Sequence, residues 1–264
     1  MTTMGLPPPD EQQFERHAGD AGPALWAYLD IQSFDPMRSE LQGQLDFSTT
    51  AGMFGHRFGD PIALDAVVIV ADGAFERHIR LRRDEPVSPV PIGVDLNRGR
   101  VDGYPFDHYR AEVMISARDG IDLGKRLPLK VTVWSQHAAW RYDIAPAAQG
   151  LDGDSIDLDI TVRRPNQVRF FAVTLYTAMG VVGCIALTIG VLVFLRLRRA
   201  DTTLASVLSG MMFALPVMRS IMPGSPPLGV RADILVFLWA EVAVVIALML
   251  VVVTWARHGE KAAR

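Results

Sequence analysis

Residues 170–195 read FFAVTLYTAMGVVGCIALTIGVLVFL, a run of 26 residues without a charged side chain that Arg196, Arg198 and Arg199 bring to an end. An α-helix rises about 1.5 Å per residue, so a run of this length crosses the roughly 30 Å hydrocarbon core of a bilayer. The stretch therefore predicts a transmembrane helix.

Two further apolar runs follow it. Residues 202–218 carry no charge, and residues 234–256 carry only Glu241. We predict a domain of three transmembrane helices over residues 166–264, at about 168–196, 202–221 and 232–256, followed by a short C-terminal tail. Pro216 lies in the second helix, where it removes the donor for the Met212 carbonyl and bends the helix.

Small residues recur every fourth position in the first two predicted helices. Such stripes permit the close approach on which helix association in lipid depends, so they predict helix contacts within a compact bundle. Small residues are also common in apolar helices without making contacts. The stripes are Gly180, Cys184 and Thr188, and Ser206, Gly210 and Ala214.

The segment 27–165 alternates apolar and polar residues over short runs, as strands with one buried face do. The clearest run places Ile156, Leu158, Ile160 and Val162 on one face. Turn residues separate the runs, for example Asp35-Pro36 and Asp119-Gly120. We predict an all-β, antiparallel, sandwich-like soluble domain of undetermined topology, preceded by a flexible tail over residues 1–26 that lacks the apolar core of a signal peptide.

Charge divides the chain in the same place. Residues 1–165 carry a net charge of −8 and residues 166–264 one of +5, which add to the −3 of the whole chain. An acidic soluble part disfavours a nucleic acid partner, because binding phosphate requires a concentrated basic surface. The single cysteine, Cys184, excludes an internal disulfide.

Orientation follows only weakly from the charges near the helix ends. With the β domain outside, six basic residues lie on the inner side and five on the outer side. We expect a multi-pass protein of the plasma membrane with an extracytoplasmic β domain and a cytoplasmic C-terminus. An export signal ahead of that domain is missing from residues 1–26, which conflicts with this expectation.

Several motifs resemble a bacterial membrane-protein family known as domain of unknown function 4436, over about residues 27–257. The resemblance implies an extracytoplasmic β domain held by one N-terminal and three C-terminal helices, with no established activity. The first of those helices has no counterpart here, so either the true start lies upstream of Met1, which is the favoured hypothesis, or this member reaches the membrane by another route. The motifs are Tyr104-Pro105-Phe106-Asp107, residues 216–229 from Pro216 to Gly229, Asp233, and residues 237–241 with Trp239.

Glu241 stands about eight residues inside the third helix, where an ionisable group needs a partner. Arg219, near the end of the second helix, is the predicted partner. A structural ion pair is the favoured interpretation, and a proton or ion relay is the alternative.

The connection between the second and third helices is short and rich in proline and glycine. Its residues restrict φ or permit sharp reversals, so a rigid turn is the favoured interpretation and a docking surface the alternative. The residues of this hairpin motif are Pro216, Pro223, Gly224, Pro226, Pro227, Gly229, Asp233 and Trp239.

The loop Tyr104-Pro105-Phe106-Asp107 resembles the tip that couples the β domain of Cys-loop channels to their pore. That resemblance implies a loop in contact with the helical hairpin. A β-turn with a buried aromatic anchor is the simpler interpretation.

The sequence shows no catalytic motif, no metal-ligand spacing and no cofactor signature. We therefore expect a non-enzymatic envelope protein, a scaffold or sensor. Its partners would be the lipid bilayer and other envelope proteins or a second copy of itself. The alternatives are a transporter or channel subunit that uses Arg219 and Glu241, and, more weakly, a membrane-bound enzyme.

Overall fold

The computed structural model describes residues 12–18, 24–49, 61–72, 75–96, 98–135, 140–147 and 155–258. These form two compact units. The first takes residues 1–100 and 108–163, and the second takes residues 101–107 and 164–264. The seven residues 101–107 thus fold with the helices, although the sequence places them within the predicted β domain.

The first unit contains eleven strands within the described ranges. They are β1 (Gln12–Ala18), β2 (Leu25–Asp35), β3 (Glu40–Ser48), β4 (Ala66–Ala71), β5 (Glu76–Leu81), β6 (Val90–Asp95), β7 (Arg98–Gly99), β8 (His108–Asp119), β9 (Leu129–Ser135), β10 (Arg141–Pro146) and β11 (Ile156–Arg163).

The strands form two sheets. One has the order β1-β9-β2-β3-β6, and the other has the order β10-β11-β8-β4-β5 with β7 also paired to β8. The described pairings are antiparallel except that of β2 with β9, which is parallel. The predicted sandwich-like β domain is confirmed, with this one parallel pair added.

A single apolar core joins the two sheets. Ile156, Leu158, Ile160 and Val162 are buried as their alternation predicts. Phe34 of one sheet meets Tyr109 of the other edge-on, with ring centroids 4.7 Å apart. Such edge-to-face contacts add about 0.5–1.5 kcal/mol beyond the burial of the rings.

The prediction of a flexible tail over residues 1–26 is wrong for residues 12–18, and also for Leu25 and Trp26, which begin β2. Strand β1 pairs with β9 along its whole length, from Gln12 with Ser135 to Ala18 with Leu129. The pairing partner lies more than a hundred residues away in the sequence, so the local pattern around β1 carries no sign of it. The rest of residues 1–23, and the C-terminal tail beyond residue 258, lie outside the described residues.

The second unit contains three long helices, α1 (Asn166–Phe194), α2 (Thr202–Ser220) and α3 (Leu238–His258). A π-helical turn, Asp233–Phe237, leads directly into α3. Each of the three segments is long and apolar enough to cross a membrane, as predicted.

Helices α1 and α3 approach each other through glycine. A Cβ added to Gly183 would lie 2.7 Å from the Cα of Ala240, and one added to Gly190 would lie 2.6 Å from the Cα of Ala247. Only glycine permits this separation, in keeping with packing of small residues in membranes.

The predicted small-residue stripe of α2 is wrong about which face is buried, and that of α1 is right only at Gly180, where an added Cβ would lie 3.5 Å from Val236. Cys184, Ser206 and Ala214 are exposed, and a Cβ on Gly210 would meet nothing within 4 Å. In an apolar helix the lipid face and the packed face have similar composition, so periodicity found the helix but not the contact face.

Candidate functional site: a buried polar cluster at the helical hairpin

The centre of the cluster is an ion pair between the end of α2 and the start of the π turn. The Arg219 guanidinium donates from Nε to Oδ1 of Asp233 at 2.5 Å and from Nη2 to Oδ2 at 2.8 Å. The two side chains are only 7% and 3% exposed. This two-point contact is the strongest geometry that arginine and carboxylate can adopt.

The hairpin connection wraps around this pair. The carbonyls of Pro226 and Pro227 accept from Nη2 of Arg219 at 3.1 and 3.0 Å, and the Gly229 amide donates to Oδ2 of Asp233 at 3.1 Å. Gly229 has a φ of +91°, a left-handed conformation that favours glycine. The proline-rich turn is therefore held from within by one guanidinium and one carboxylate.

Helix α1 also reaches the pair. The Tyr176 hydroxyl donates to Oδ1 of Asp233 at 2.7 Å, and Tyr176 is buried in the bundle core. One carboxylate thus connects all three helices, because α1 supplies the tyrosine, α2 the arginine and the π turn before α3 the aspartate.

The predicted Arg219–Glu241 pair is wrong. Asp233 lies beside Arg219, whereas Glu241 is eight residues further, about 12 Å along an α-helix. Oε2 of Glu241 is buried without a hydrogen-bond partner among the described residues. The sequence offered a usable sign, since Arg219 and Asp233 flank the proline-rich turn at nearly equal distances.

The predicted coupling loop belongs to the same cluster. The Tyr104 hydroxyl donates to the Pro223 carbonyl at 3.1 Å, and Tyr104 is 2% exposed. Phe106, by contrast, is 62% exposed. The buried aromatic anchor of the loop is therefore Tyr104, and that anchor rests on the hairpin connection. The Tyr104–Pro105 peptide bond is cis.

A second buried ion pair fixes the loop. Nε of Arg164 donates to Oδ1 of Asp107 at 2.6 Å, and the two side chains are 3% and 0% exposed. The Arg164 guanidinium also lies 4.6 Å from the centre of the Tyr104 ring, a cation–π contact. The sequence analysis gave neither Arg164 nor Tyr176 a role in the site.

Glycine at position 224 leaves room for this arginine. Gly224 has a φ of +74°, and a Cβ there would collide with Nη1 of Arg164. A more exposed pair, Arg231 with Asp102 at 3.3 Å, adds another contact between residues 101–107 and the hairpin.

Burial raises the pKa of the Tyr104 hydroxyl, and the neighbouring Arg164 guanidinium opposes part of that rise. Tyr104 therefore stays neutral and keeps its proton for the Pro223 carbonyl. The two ion pairs balance their own charges, so this cluster is suited to holding chain segments in place.

Other predicted residues lie apart from the cluster. Trp239 is 68% exposed and lines a groove of about 180 Å³ between α1 and α3, together with Gly180, Cys184 and Ala243. Pro216 lies inside α2, one turn before Arg219. Over the described ranges, no three histidine, cysteine, aspartate or glutamate side chains come together as metal ligands would.

Comparisons with protein families divide the chain at the same place as its fold. Domain of unknown function (DUF4436) matches residues 16–167, and Domain of unknown function (DUF8686) matches residues 164–258. The helical motifs, which the sequence analysis joined to the first family, thus fall within the second family's match. Among curated proteins, no sequence matches the chain. Since the first match covers more than half of its residues, the chain belongs to the family Domain of unknown function (DUF4436).

Proposed function

We propose that this chain is a non-enzymatic protein of the bacterial plasma membrane, a scaffold or sensor whose β domain works outside the cytoplasm. Its C-terminus lies in the cytoplasm, and its partners are other envelope proteins or a second copy. The three membrane-spanning helices serve to hold the protein in the bilayer.

One observation carries the proposal: the connection between β7 and β8 folds with the helices through Arg164 and Asp107. The chain passes between its two units three times, at residues 100–101, 107–108 and 163–164. Arg164 directly follows the third passage, and Asp107 directly precedes the second. A buried ion pair at these positions suits a protein in which binding to the β domain changes the conformation of the helices.

The sidedness is tested with a single reactive cysteine. The variant C184S removes the chain's one cysteine, and I121C then places a thiol at a residue that is 84% exposed in the β domain. A membrane-impermeant maleimide added to intact cells should label I121C. The matched variant L197C, at a residue 68% exposed after α1, should react only after lysis. The reverse pattern would overturn the orientation.

The interaction role is tested by crosslinking in living cells. A photoreactive residue at exposed β-domain positions, such as Met37 or Phe75, should give discrete products containing another protein or a second copy. D107N removes the buried carboxylate that pairs with Arg164 and should change the yield of those products, while R231A, at an exposed pair, should not. Products absent from every position would contradict the proposal.

A second candidate is a subunit of a transporter or channel. It is favoured by Glu241 in a membrane-spanning helix, because Oε2 of its carboxyl is buried without a hydrogen-bond partner among the described residues. Arg219 does not pair with Glu241 in this candidate, because it already forms an ion pair with Asp233. Ion flux into proteoliposomes that E241Q abolishes, with folding intact, would favour this candidate over the first.

A further inference from the structure

Glu241 is the one ionisable side chain of α3 before its final turn, and the bundle leaves it unsatisfied. Its Oε2 is buried without a hydrogen-bond partner among the described residues. An ionised carboxylate in that position would lack both water and a counterion, which is costly in an apolar medium. The neutral acid form avoids that cost and adds a hydroxyl donor that needs an acceptor.

The π turn sets the face on which Glu241 lies. Eight residues separate it from Asp233, and the wide turn Asp233–Phe237 takes up about one more residue than an α-helical turn would. The remaining residues amount to roughly two α-helical turns. Glu241 therefore lies below Asp233 on the same side of the helix, between Phe237 and Leu248, which both pack against the bundle core.

Helix α2 offers an acceptor at the same depth. Pro216 has no N–H, so the Met212 carbonyl has no helical donor. Met212 shares a face with Leu215 and Arg219 by its spacing of three and seven residues, and it packs against the bundle core. Met212 lies seven residues, roughly 11 Å, below Arg219. Glu241 lies at a similar depth below Asp233 on the other helix.

We propose that Glu241 is a proton-binding site within the membrane. The ligand is a proton taken from water, and the resulting acid hydroxyl donates to the Met212 carbonyl directly or through one water molecule. Freed carbonyls before a membrane proline are commonly satisfied by neighbouring helices or water in this way. The bond holds α2 to α3 two turns below the ion pair, and loss of the proton breaks it.

The groups that could compete for this proton lie at the hairpin end. From α2 this is Arg219, from the π turn Asp233 and from α1 Tyr176, and these three bind one another. Arg169 stands in the first turn of α1, seven residues further out than Tyr176. Cys184 of α1 is on an exposed face. Glu241 therefore titrates apart from the cluster.

Infrared spectroscopy of the full-length protein in lipid tests this site. At neutral pH the wild type should show the C=O stretch of a protonated carboxylic acid, and E241Q should lack it. E85Q, at a surface carboxylate 59% exposed, is the matched control and should leave the band unchanged. Raising the pH should remove the band from the wild type. A band that is absent at neutral pH, or that survives in E241Q, overturns the proposal.

P216A tests the acceptor. It restores an N–H for the Met212 carbonyl, so the acid band should move to higher wavenumber as its hydrogen bond weakens. E241A should then lower the unfolding temperature less in the P216A background than in the wild type. A band position unchanged by P216A overturns the assignment of Met212. E241D retains the acid and reports the band shift if E241Q fails to fold.

Discussion

The two units of this protein place their ion pairs in opposite environments. In the β domain, Arg110 and Asp159 pair across two strands with side chains 47% and 15% exposed. In the helical unit, the Arg219–Asp233 side chains are 7% and 3% exposed. Water can solvate the partners of the first pair when they separate, but not those of the second. Removing one partner is therefore tolerated in the first pair and costly in the second.

The largest effect is expected from breaking the pair at the hairpin. R219A leaves the Asp233 carboxylate buried without a counterion, which should lower the free energy of unfolding by about 3–5 kcal/mol. Thermal unfolding of the helical unit in detergent, followed by far-ultraviolet circular dichroism, measures the loss. The double variant R219L/D233L should lose less than R219A alone. An effect of R219A below about 1 kcal/mol would place the pair with the surface bridges.

Close helix contact in the same unit gives the next prediction. G183V must separate α1 from Ala240 of α3, and overpacking of this kind destabilises by about 1–3 kcal/mol. G210A is the matched control, because a Cβ there meets nothing within 4 Å. Alanine should stabilise α2 at that position by up to about 1 kcal/mol. Equal effects of the two substitutions would refute the asymmetry between the packed and open faces.

A substitution in the loop 101–107, which folds with the helices, should lower the free energy of unfolding by a smaller amount. Y104F keeps the ring beneath Arg164 but removes the hydroxyl that donates to the Pro223 carbonyl. We expect a loss of about 0.5–1.5 kcal/mol, the usual net value of one hydrogen bond. Hydrogen exchange of the Ser225 amide, which bonds the Met222 carbonyl in the same turn, measures local opening. Unchanged exchange would show that the hydroxyl does not hold the turn.

The comparison also shows what the sequence could predict. Alternation found β11, and apolar run length found the three helices, because both depend on the local pattern of burial. The β1 strand and the parallel pairing of β2 with β9 depend on partners far along the chain. Local sequence carries no record of such partners.

Only those parts of the candidate site that depend on local sequence were predicted. Proline and glycine marked the hairpin, and a short motif marked the loop at Tyr104. The partner of Arg219 was missed because burial of an ionisable residue was judged from its depth in an apolar run, which favoured Glu241 over Asp233. The contact between Asp107 and Arg164, 57 residues apart, could not be read from spacing at all.

A surface pair in the β domain should matter least among the ion pairs. R110A should change the free energy of unfolding of the β domain far less than R219A changes that of the helical unit, and salt should reduce even that small effect. Tryptophan fluorescence of the full chain during denaturation measures it. A loss as large as that of R219A would mean that exposure does not govern the strength of these pairs.

The weakest effect is expected from pH acting on the β domain. Backbone amides of Ile121 and Asp122 donate to the Asp119 carboxylate and hold the pKa of that carboxyl below its usual value. The unfolded chain then binds the proton more readily than the folded chain, so this contribution to stability is complete above the unfolded pKa of about 3.9. This contribution is lost as the pH falls through the lower pKa that Asp119 has in the folded chain. D119N should therefore flatten the acid limb of a pH titration of β-domain stability below about pH 4 and leave the neutral region parallel to the wild type. D122N is the control, because it keeps the Asp119 carboxylate and its two amide donors, and it should retain the acid limb. If the stability profiles of D119N and D122N were parallel at every pH, the amides would not favour the ionised form of Asp119.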